Sequence, residues 1–209
     1  MEGRFIAFEG IDGCGKGTQM ELLRRRMTEE ALPFVMTREP SDSPIGALLH
    51  QIMIGRIRTT PEAIAALFVA DRLDHLENPV NGILPALDKG LHVISDRYYF
   101  SSFAYQSVDL SMEWIISAHE IVRKKLRPAA TVFLDVDPEV TMGRIEERAG
   151  TRELFENKER LLRTRERYFE AFARLKEEET VLVIDGMRDR EVIAEEIWER
   201  LRPLFLPAD

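Results

Sequence analysis

The amino-acid sequence predicts an α/β fold of three layers, a five-stranded parallel sheet flanked by helices. Three observations carry that expectation. Short apolar runs of strand length occur at residues 5–8, 33–37, 91–95, 130–136 and 181–184. Longer stretches with helical periodicity separate them. The runs are almost continuously hydrophobic, as strands covered on both faces of a parallel sheet should be; a half-exposed strand would alternate. Strands alternating with helices of these lengths imply right-handed crossovers and a doubly wound sheet.

Taken in order, Phe5-Ile6-Ala7-Phe8 opens the chain and leads into a glycine-rich turn. The second run ends in a basic turn, Thr37-Arg38-Glu39-Pro40. Gly90 stands where a helix must stop before the third run begins. After the fourth run, Asp137-Pro138-Glu139 reads as an N-cap, a proline at the first helical position and an acid suited to the helix dipole. Residues 157–179 are charge-rich, with Leu161, Leu162, Tyr168, Phe169, Phe172 and Leu175 at near-helical spacing. That pattern predicts an amphipathic helix. The fifth run ends Asp185-Gly186-Met187.

The 209 residues, with no internal repeat or long Pro/Gly/Ser linker, fit a single domain over 1–209 with a small lid. A 44% apolar and 32% charged composition is ordinary for a globular protein. The net charge of -8 argues against a general nucleic-acid or anionic-membrane binder, whose surface needs excess Lys and Arg. A single cysteine, Cys14, cannot form an internal disulfide. No basic segment followed by an apolar stretch opens the chain, and no apolar run approaches the ~20 residues of a membrane helix. The expectation is a soluble cytoplasmic protein without nucleic-acid or membrane partners.

In open α/β sheets ligands sit beyond the carboxyl ends of the strands. The first such position holds the strongest signal. Gly10-Ile11-Asp12-Gly13-Cys14-Gly15-Lys16-Gly17-Thr18 follows a strand and opens a helix. Glycines let several backbone N–H groups converge on phosphate oxygens, the helix terminus adds partial positive charge, and Lys16 adds a full one. This is a P-loop, and it makes the predicted fold a P-loop NTPase fold. One departure stands out: Gly17 follows Lys16, where the strict motif has the Ser or Thr that ligates Mg²⁺. Thr18 is then expected on a phosphate oxygen, with the metal held through phosphates, water and a carboxylate.

A guanine-specific switch needs Asn/Thr-Lys-x-Asp after a strand; the nearest match, Asn157-Lys158-Glu159-Arg160, lacks the Asp and lies in the charged helix. A remodelling ATPase usually shows an acidic pair closing a strand, whereas the third strand here ends Ser95-Asp96-Arg97-Tyr98. Asp96 can hold the metal shell directly or through water, and Arg97 can neutralise a phosphate that accepts or bridges. Alone, Asp96-Arg97 also reads as a surface ion pair. Arg38 is suited to bidentate recognition of a monophosphate across from the loop.

Four blocks then stand in order: Phe8-Glu9-Gly10 into the loop; Thr37-Arg38-Glu39-Pro40; Phe68-Val69-Ala70-Asp71-Arg72; and Asp96-Arg97-Tyr98 through Ala104-Tyr105-Gln106. In that order and spacing the chain resembles the thymidylate kinases over essentially its whole length. The resemblance implies transfer of the ATP γ-phosphoryl group to dTMP with Mg²⁺, in dTTP biosynthesis. It also implies a homodimer.

The resemblance places Phe68 against thymine and Arg72 on the base; the two stand at i and i+4, on one helix face. Periodicity by itself reads them as a core aromatic and a surface charge. Arg38 and Arg97 would bind the dTMP phosphate, Ser101 and Ser102 would lie near the base edge, and Gln106 would join them. Asp12 would approach the sugar 3′-hydroxyl and the metal, with Asp96 the other metal-site carboxylate. Tyr105 would lie against the sugar 2′ carbon. A lid at about 144–157 would bring Arg148 and Arg152 to the γ-phosphate and stack Arg144 on adenine. Each of these arginines also fits a solvated helix face. The family's turn after Arg-Glu-Pro is often Gly-Gly-Thr, and here it is Ser41-Asp42-Ser43. Two competing functions remain at this point: the same chemistry on dUMP or another monophosphate, and a P-loop regulatory ATPase.

Overall fold

The computed structural model describes residues 2–149 and 154–206, with the backbone only for 144–149 and 154–157. The strands are β1 (Phe5–Glu9), β2 (Phe34–Arg38), β3 (His92–Asp96), β4 (Ala130–Asp135) and β5 (Val181–Asp185). They form one parallel sheet in the order β2-β3-β1-β4-β5. Between β1 and β2 lies α1 (Lys16–Glu29). Between β2 and β3 come α2 (Pro44–Met53), α3 (Pro61–Glu77) and α4 (Ile83–Asp88). Between β3 and β4 lie α5 (Tyr99–Tyr105), a 3-10 turn (Gln106–Val108), α6 (Met112–Ala118) and α7 (Glu120–Lys125). The chain closes with α8 (Pro138–Ala149), α9 (Leu154–Leu175) and, after β5, α10 (Arg190–Phe205).

Local chemistry sets several helix starts. Ser43 caps α2 by accepting from the Gly46 N–H, and Thr60 caps α3 through the Ala63 N–H; a proline follows each cap. Asp137 Oδ1 accepts from the Glu139 N–H at 2.7 Å at the head of α8, as its Asp-Pro-Glu sequence predicts. The charged helix is α9, which begins and ends a few residues before the 157–179 expected from periodicity. Its C-terminal boundary is a turn in which Glu178 and Glu179 donate their N–H groups to the Leu175 carbonyl.

The central strands β1, β3 and β4 are almost wholly buried, matching their unbroken hydrophobicity. The edge strands β2 and β5 are only partly covered, because each has one neighbouring strand and its outer flank lies at the rim of the helical layers. Phe133 on β4 packs on Tyr168 and Phe172 of α9 with ring centroids 4.8 and 5.0 Å apart, and Phe172 also meets Phe100 of α5. α1 and α10 pack together, with Arg26 over the Trp198 ring. Among the described residues no helix is long and apolar enough to cross a membrane.

Register decides what lies at the carboxyl edge of the sheet. Arg38 pairs with Asp96, Asp96 with Phe8, Glu9 with Phe133, and Asp135 with Asp185. β1 lies between β3 and β4, so the turn leaving it emerges at the topological switch point, where such sheets bind ligands.

Candidate active site

The loop after β1 has backbone conformations that a side chain would resist. Gly10 has φ +149°, and a Cβ there would stand 2.6 Å from Cys14 Sγ and 3.0 Å from the Leu134 carbonyl oxygen. Gly15, at φ 99°, caps α1, and its carbonyl accepts the Thr18 and Gln19 N–H groups. Lys16 Nζ donates to the Gly10 carbonyl at 3.2 Å and stands 3.9 Å from Asp96 Oδ1. That Asp96 oxygen is buried and accepts no hydrogen bond from the described residues. Cys14 is buried within the loop. Beside the loop lies a hollow of about 240 Å³ bordered by Gly13, Cys14, Gly15, Thr18, Leu134, Gly186 and Arg188.

No group of three or more His, Cys, Asp or Glu suited to a metal occurs among the described residues. The donor set nonetheless fits a magnesium ion carried mainly by phosphates: Asp96 Oδ1 is an orphaned carboxylate oxygen beside the phosphate lysine. A Cβ on Gly17 would meet nothing within 4 Å. Steric exclusion therefore does not explain the missing hydroxyl.

On the other side of Asp12 a cleft of about 220 Å³ is bordered by Asp12, Pro40, Met53, Ile64, Phe68, Arg97, Ser101, Ser102, Tyr105, Gln106 and Arg160. Seven predicted site residues from four segments meet there: Asp12, Phe68, Arg97, Ser101, Ser102, Tyr105 and Gln106. Arg97 is central. It is a non-glycine residue at φ 73°, a strained conformation of the kind that clusters at functional sites. Its Nη2 donates to Asp12 Oδ1 at 2.5 Å and to the Tyr105 hydroxyl at 3.2 Å, and the guanidinium lies over the Tyr105 ring. Gln106 Oε1, in the cleft, is buried without a hydrogen-bond partner among the described residues.

Behind Arg97 lies a carboxylate for which the sequence analysis assigned no role. Glu9 is fully buried at the end of β1. Its Oε1 accepts the N–H groups of Tyr98 and Ser101, and its Oε2 accepts the hydroxyls of Ser101 at 2.6 Å and Tyr168 at 2.8 Å. Arg97 Nη1 donates to those same two hydroxyls, so donors run in one direction from guanidinium to carboxylate. Burial raises the Glu9 pKa, while Arg97, the Ser101 and Tyr168 hydroxyls and the Tyr98 N–H pull the other way. Burial also raises the Tyr105 and Tyr168 phenols, which keeps both protonated at neutral pH.

Two predicted residues are not brought to the cleft. Arg38 is exposed, and its Nη2 is paired with Asp42 Oδ1 at 2.7 Å. It borders two neighbouring cavities, the larger about 690 Å³ and lined by β2 and α4 residues away from the phosphate loop. The family's usual glycine turn has no carboxylate there, and Asp42 supplies one. Arg72 shares a helix face with Phe68, but it is only 1% exposed and lies beneath the cleft. Its Nε donates to Glu39 Oε2, its Nη1 to Ser102 Oγ and His119 Nε2, and its Nη2 to the Tyr98 carbonyl. Of the lid residues, the side chains of Arg144 and Arg148, and Arg152 entirely, lie outside the described residues. The backbone of 144–149 belongs to α8.

Sequence reasoning missed Glu9, Tyr168, Arg160 and His119. Only Glu9 carried a visible signal, a lone acid closing an otherwise apolar strand.

A parallel sheet with a phosphate loop at its switch point, and a second cleft sharing Asp12 with that loop, defines a nucleotide kinase of the P-loop type. The thymidylate kinase family model matches residues 8–197. The chain is 34% identical over 202 residues to a thymidylate kinase of Carboxydothermus hydrogenoformans, covering 95% of each chain. It is 35% identical to one of Symbiobacterium thermophilum, over 97% of this chain and 94% of the relative. A probable thymidylate kinase of Pyrobaculum aerophilum is 38% identical over 95% of this chain and 96% of its own. The chain belongs to the thymidylate kinase family, transferases that phosphorylate dTMP with ATP as donor.

His119 offers a direct check on the buried network. Burial and the neighbouring Arg72 push its pKa down from 6.5 to about 3. The unfolded chain binds this proton first, so the stability it contributes is complete above about pH 6.5 and is lost as pH falls toward 3. The limiting slope is on the order of 1.4 kcal/mol per pH unit. Denaturant titrations between about pH 7 and 5 should show the wild type losing stability faster than His119→Gln. Parallel slopes would mean that His119 is not held neutral.

Proposed function

We propose that the chain transfers the γ-phosphoryl group of Mg·ATP to dTMP, giving dTDP, with the acceptor base in the Phe68–Ser102–Tyr105 cleft and the donor phosphates on the loop. The observation that carries this reading is the position of Asp12 and Arg97. Asp12 belongs to the phosphate loop and also borders the cleft, and Arg97 joins it there and reaches the Gly10 carbonyl. A phosphate entering from the cleft meets Arg97 on the side facing the loop. Phosphoryl transfer needs little else than in-line positioning and neutralised charge.

Lys16 would leave the Gly10 carbonyl for the β- and γ-phosphates, and the Gly13–Thr18 N–H groups and Thr18 hydroxyl would hold phosphate oxygens. Asp96, with Asp12 in the outer shell, would hold magnesium through the oxygen that accepts no hydrogen bond; the ion would supply charge neutralisation between the two polyanions. Phe68 gives the base an apolar face to stack on. Gln106 Oε1 stands ready for a base N–H. Tyr105 beside Arg97 would crowd a ribose 2′-hydroxyl and favour a deoxyribose.

Arg38 would exchange Asp42 for the acceptor phosphate. A lid at about 144–157 would bring Arg148 and Arg152 to the γ-phosphate and Arg144 to the adenine, excluding water that competes as acceptor. Assembly as a homodimer, a cytoplasmic location and the absence of a nucleic-acid partner belong to the same reading. The acidic net charge and the single buried cysteine support the last two.

Steady-state ADP release with Mg·ATP and dTMP, dUMP, the ribose form of TMP, dCMP, dGMP or AMP tests the proposal. Strong stimulation by dTMP, weaker by dUMP and least by the others is expected. Preference for a different monophosphate would discard the base assignments. No acceptor stimulation at all would favour a regulatory ATPase.

The Arg38–Asp42 contact makes a second prediction. An exposed ion pair contributes about 0.2–1 kcal/mol, so releasing Arg38 should be worth a few-fold at most. Asp42→Gly is expected to lower the dTMP KM about 2–5-fold with the ATP KM unchanged. An unchanged or raised dTMP KM would remove Arg38 from the acceptor site.

A further inference from the structure

We propose that His119 is a positioning residue for base recognition: it anchors the buried Arg72 guanidinium, which donates to the Ser102 oxygen and leaves the hydroxyl proton to donate into the acceptor cleft. The inference rests on the assignment of that cleft to the nucleobase.

Hydrogen-bond polarity carries the argument. His119 sits at the junction of α6 and α7 and is fully buried. Its Nδ1 is 2.8 Å from the Ile115 carbonyl, which can only accept, so Nδ1 carries the proton. In the neutral ring Nε2 is then a bare acceptor, and Arg72 Nη1 donates to it at 2.6 Å. A protonated ring would set N–H against N–H and cation against cation. The Phe103 ring meets the imidazole edge-on at 5.5 Å and fixes its plane.

The opposite side of the guanidinium is held by Glu39, whose Oε2 accepts from Nε at 2.5 Å and whose Oε1 lies 3.2 Å from His75 Nδ1. Between these two supports, Arg72 Nη1 donates to Ser102 Oγ at 3.0 Å. An arginine cannot accept. The Ser102 hydroxyl proton is therefore not spent on Arg72, and no described residue accepts it. Ser102 is 1% exposed and borders the cleft beside Phe68 and Tyr105. The Ser102 oxygen keeps a second lone pair, but its buried proton still needs an acceptor, so the complement that satisfies it is a base carbonyl.

That polarity discriminates by chemistry rather than size. Thymine and uracil carry a carbonyl acceptor at the 4-position, where cytosine carries an amino donor. A donor fixed in the cleft wall suits the first two and opposes the third. Loss of His119 would strand a buried guanidinium N–H and free Arg72 to turn, and Ser102 would lose the contact that leaves its proton for the cleft.

Kinetics of His119→Leu, His119→Gln, Ser102→Ala, the Ser102→Ala/His119→Leu pair and Phe68→Ala test this. His119→Leu should raise the dTMP KM about 10-fold or more with kcat within about 3-fold and the ATP KM unchanged. Its preference for dTMP over dCMP should fall about 10-fold, while the preference for dTMP over dUMP is kept. Glutamine at 119 offers an amide oxygen to Arg72 and should restore the dTMP KM to within about 3-fold of wild type. The double variant should be no worse than the poorer single one, since both break one relay. Unchanged dTMP KM and dCMP rejection in His119→Leu would overturn the inference. So would parallel losses in kcat, ATP KM and melting temperature that glutamine does not rescue, which would mark a structural role only. Phe68→Ala separates the two claims: if it leaves the dTMP KM unaltered, the cleft assignment itself fails.

Discussion

Glu9 joins three parts of the chain that would otherwise be independent. It closes β1 at full burial, accepts backbone N–H groups from the start of α5, and accepts a hydrogen bond from the Tyr168 hydroxyl on α9. A buried carboxylate is costly unless its acceptor sites are filled and a cation stands near. Here four donors fill them and Arg97 supplies the charge through Ser101 and Tyr168. The electrostatic requirement of Glu9 is thus met by the residue proposed to hold the acceptor phosphate. Stability and function share one network, which explains why Arg97 holds a left-handed backbone that a non-glycine residue ordinarily avoids.

Topology places that network between the two clefts proposed for the substrates. With β1 between β3 and β4, the phosphate loop rises at the switch point, and the β3–α5 turn rises beside it. The loop gives one flank to the hollow near Gly186 and Arg188, and Asp12 gives the other flank to the Phe68 cleft. Helix α9 closes the rear, locked to the sheet by Phe133. Charge is sorted the same way. Lys16 pairs with Asp96 and Arg97 with Asp12, on the two sides of the proposed transfer site.

Much of this was legible in the sequence because it depends on local rules. Unbroken apolar runs located the strands, and Gly10, Gly15 and Lys16 located the loop. Asp137-Pro138-Glu139 located the start of α8. The long-range choices were not legible. Tyr168 looks like one more apolar stripe residue on α9, and its hydroxyl finds Glu9 across 159 positions. Phe68 and Arg72 share a helix face as their spacing implies, yet one turn carries Arg72 from the cleft into the core, where Glu39 and His119 hold it. Arg38 ends its strand where expected, but Asp42, four residues on, captures its guanidinium. In each case a partner that periodicity does not encode decided where the side chain went.

The most direct test of Glu9 as the organising group is Glu9→Gln, which keeps the shape and the backbone hydrogen bonds and removes the charge facing Arg97. Steady-state kinetics with a melting curve should show kcat/KM for dTMP falling by about 10–100-fold while the ATP KM and the fold persist. An undiminished kcat/KM for dTMP in a stably folded Glu9→Gln protein would contradict the account, because Arg97 would then hold its place without the buried carboxylate.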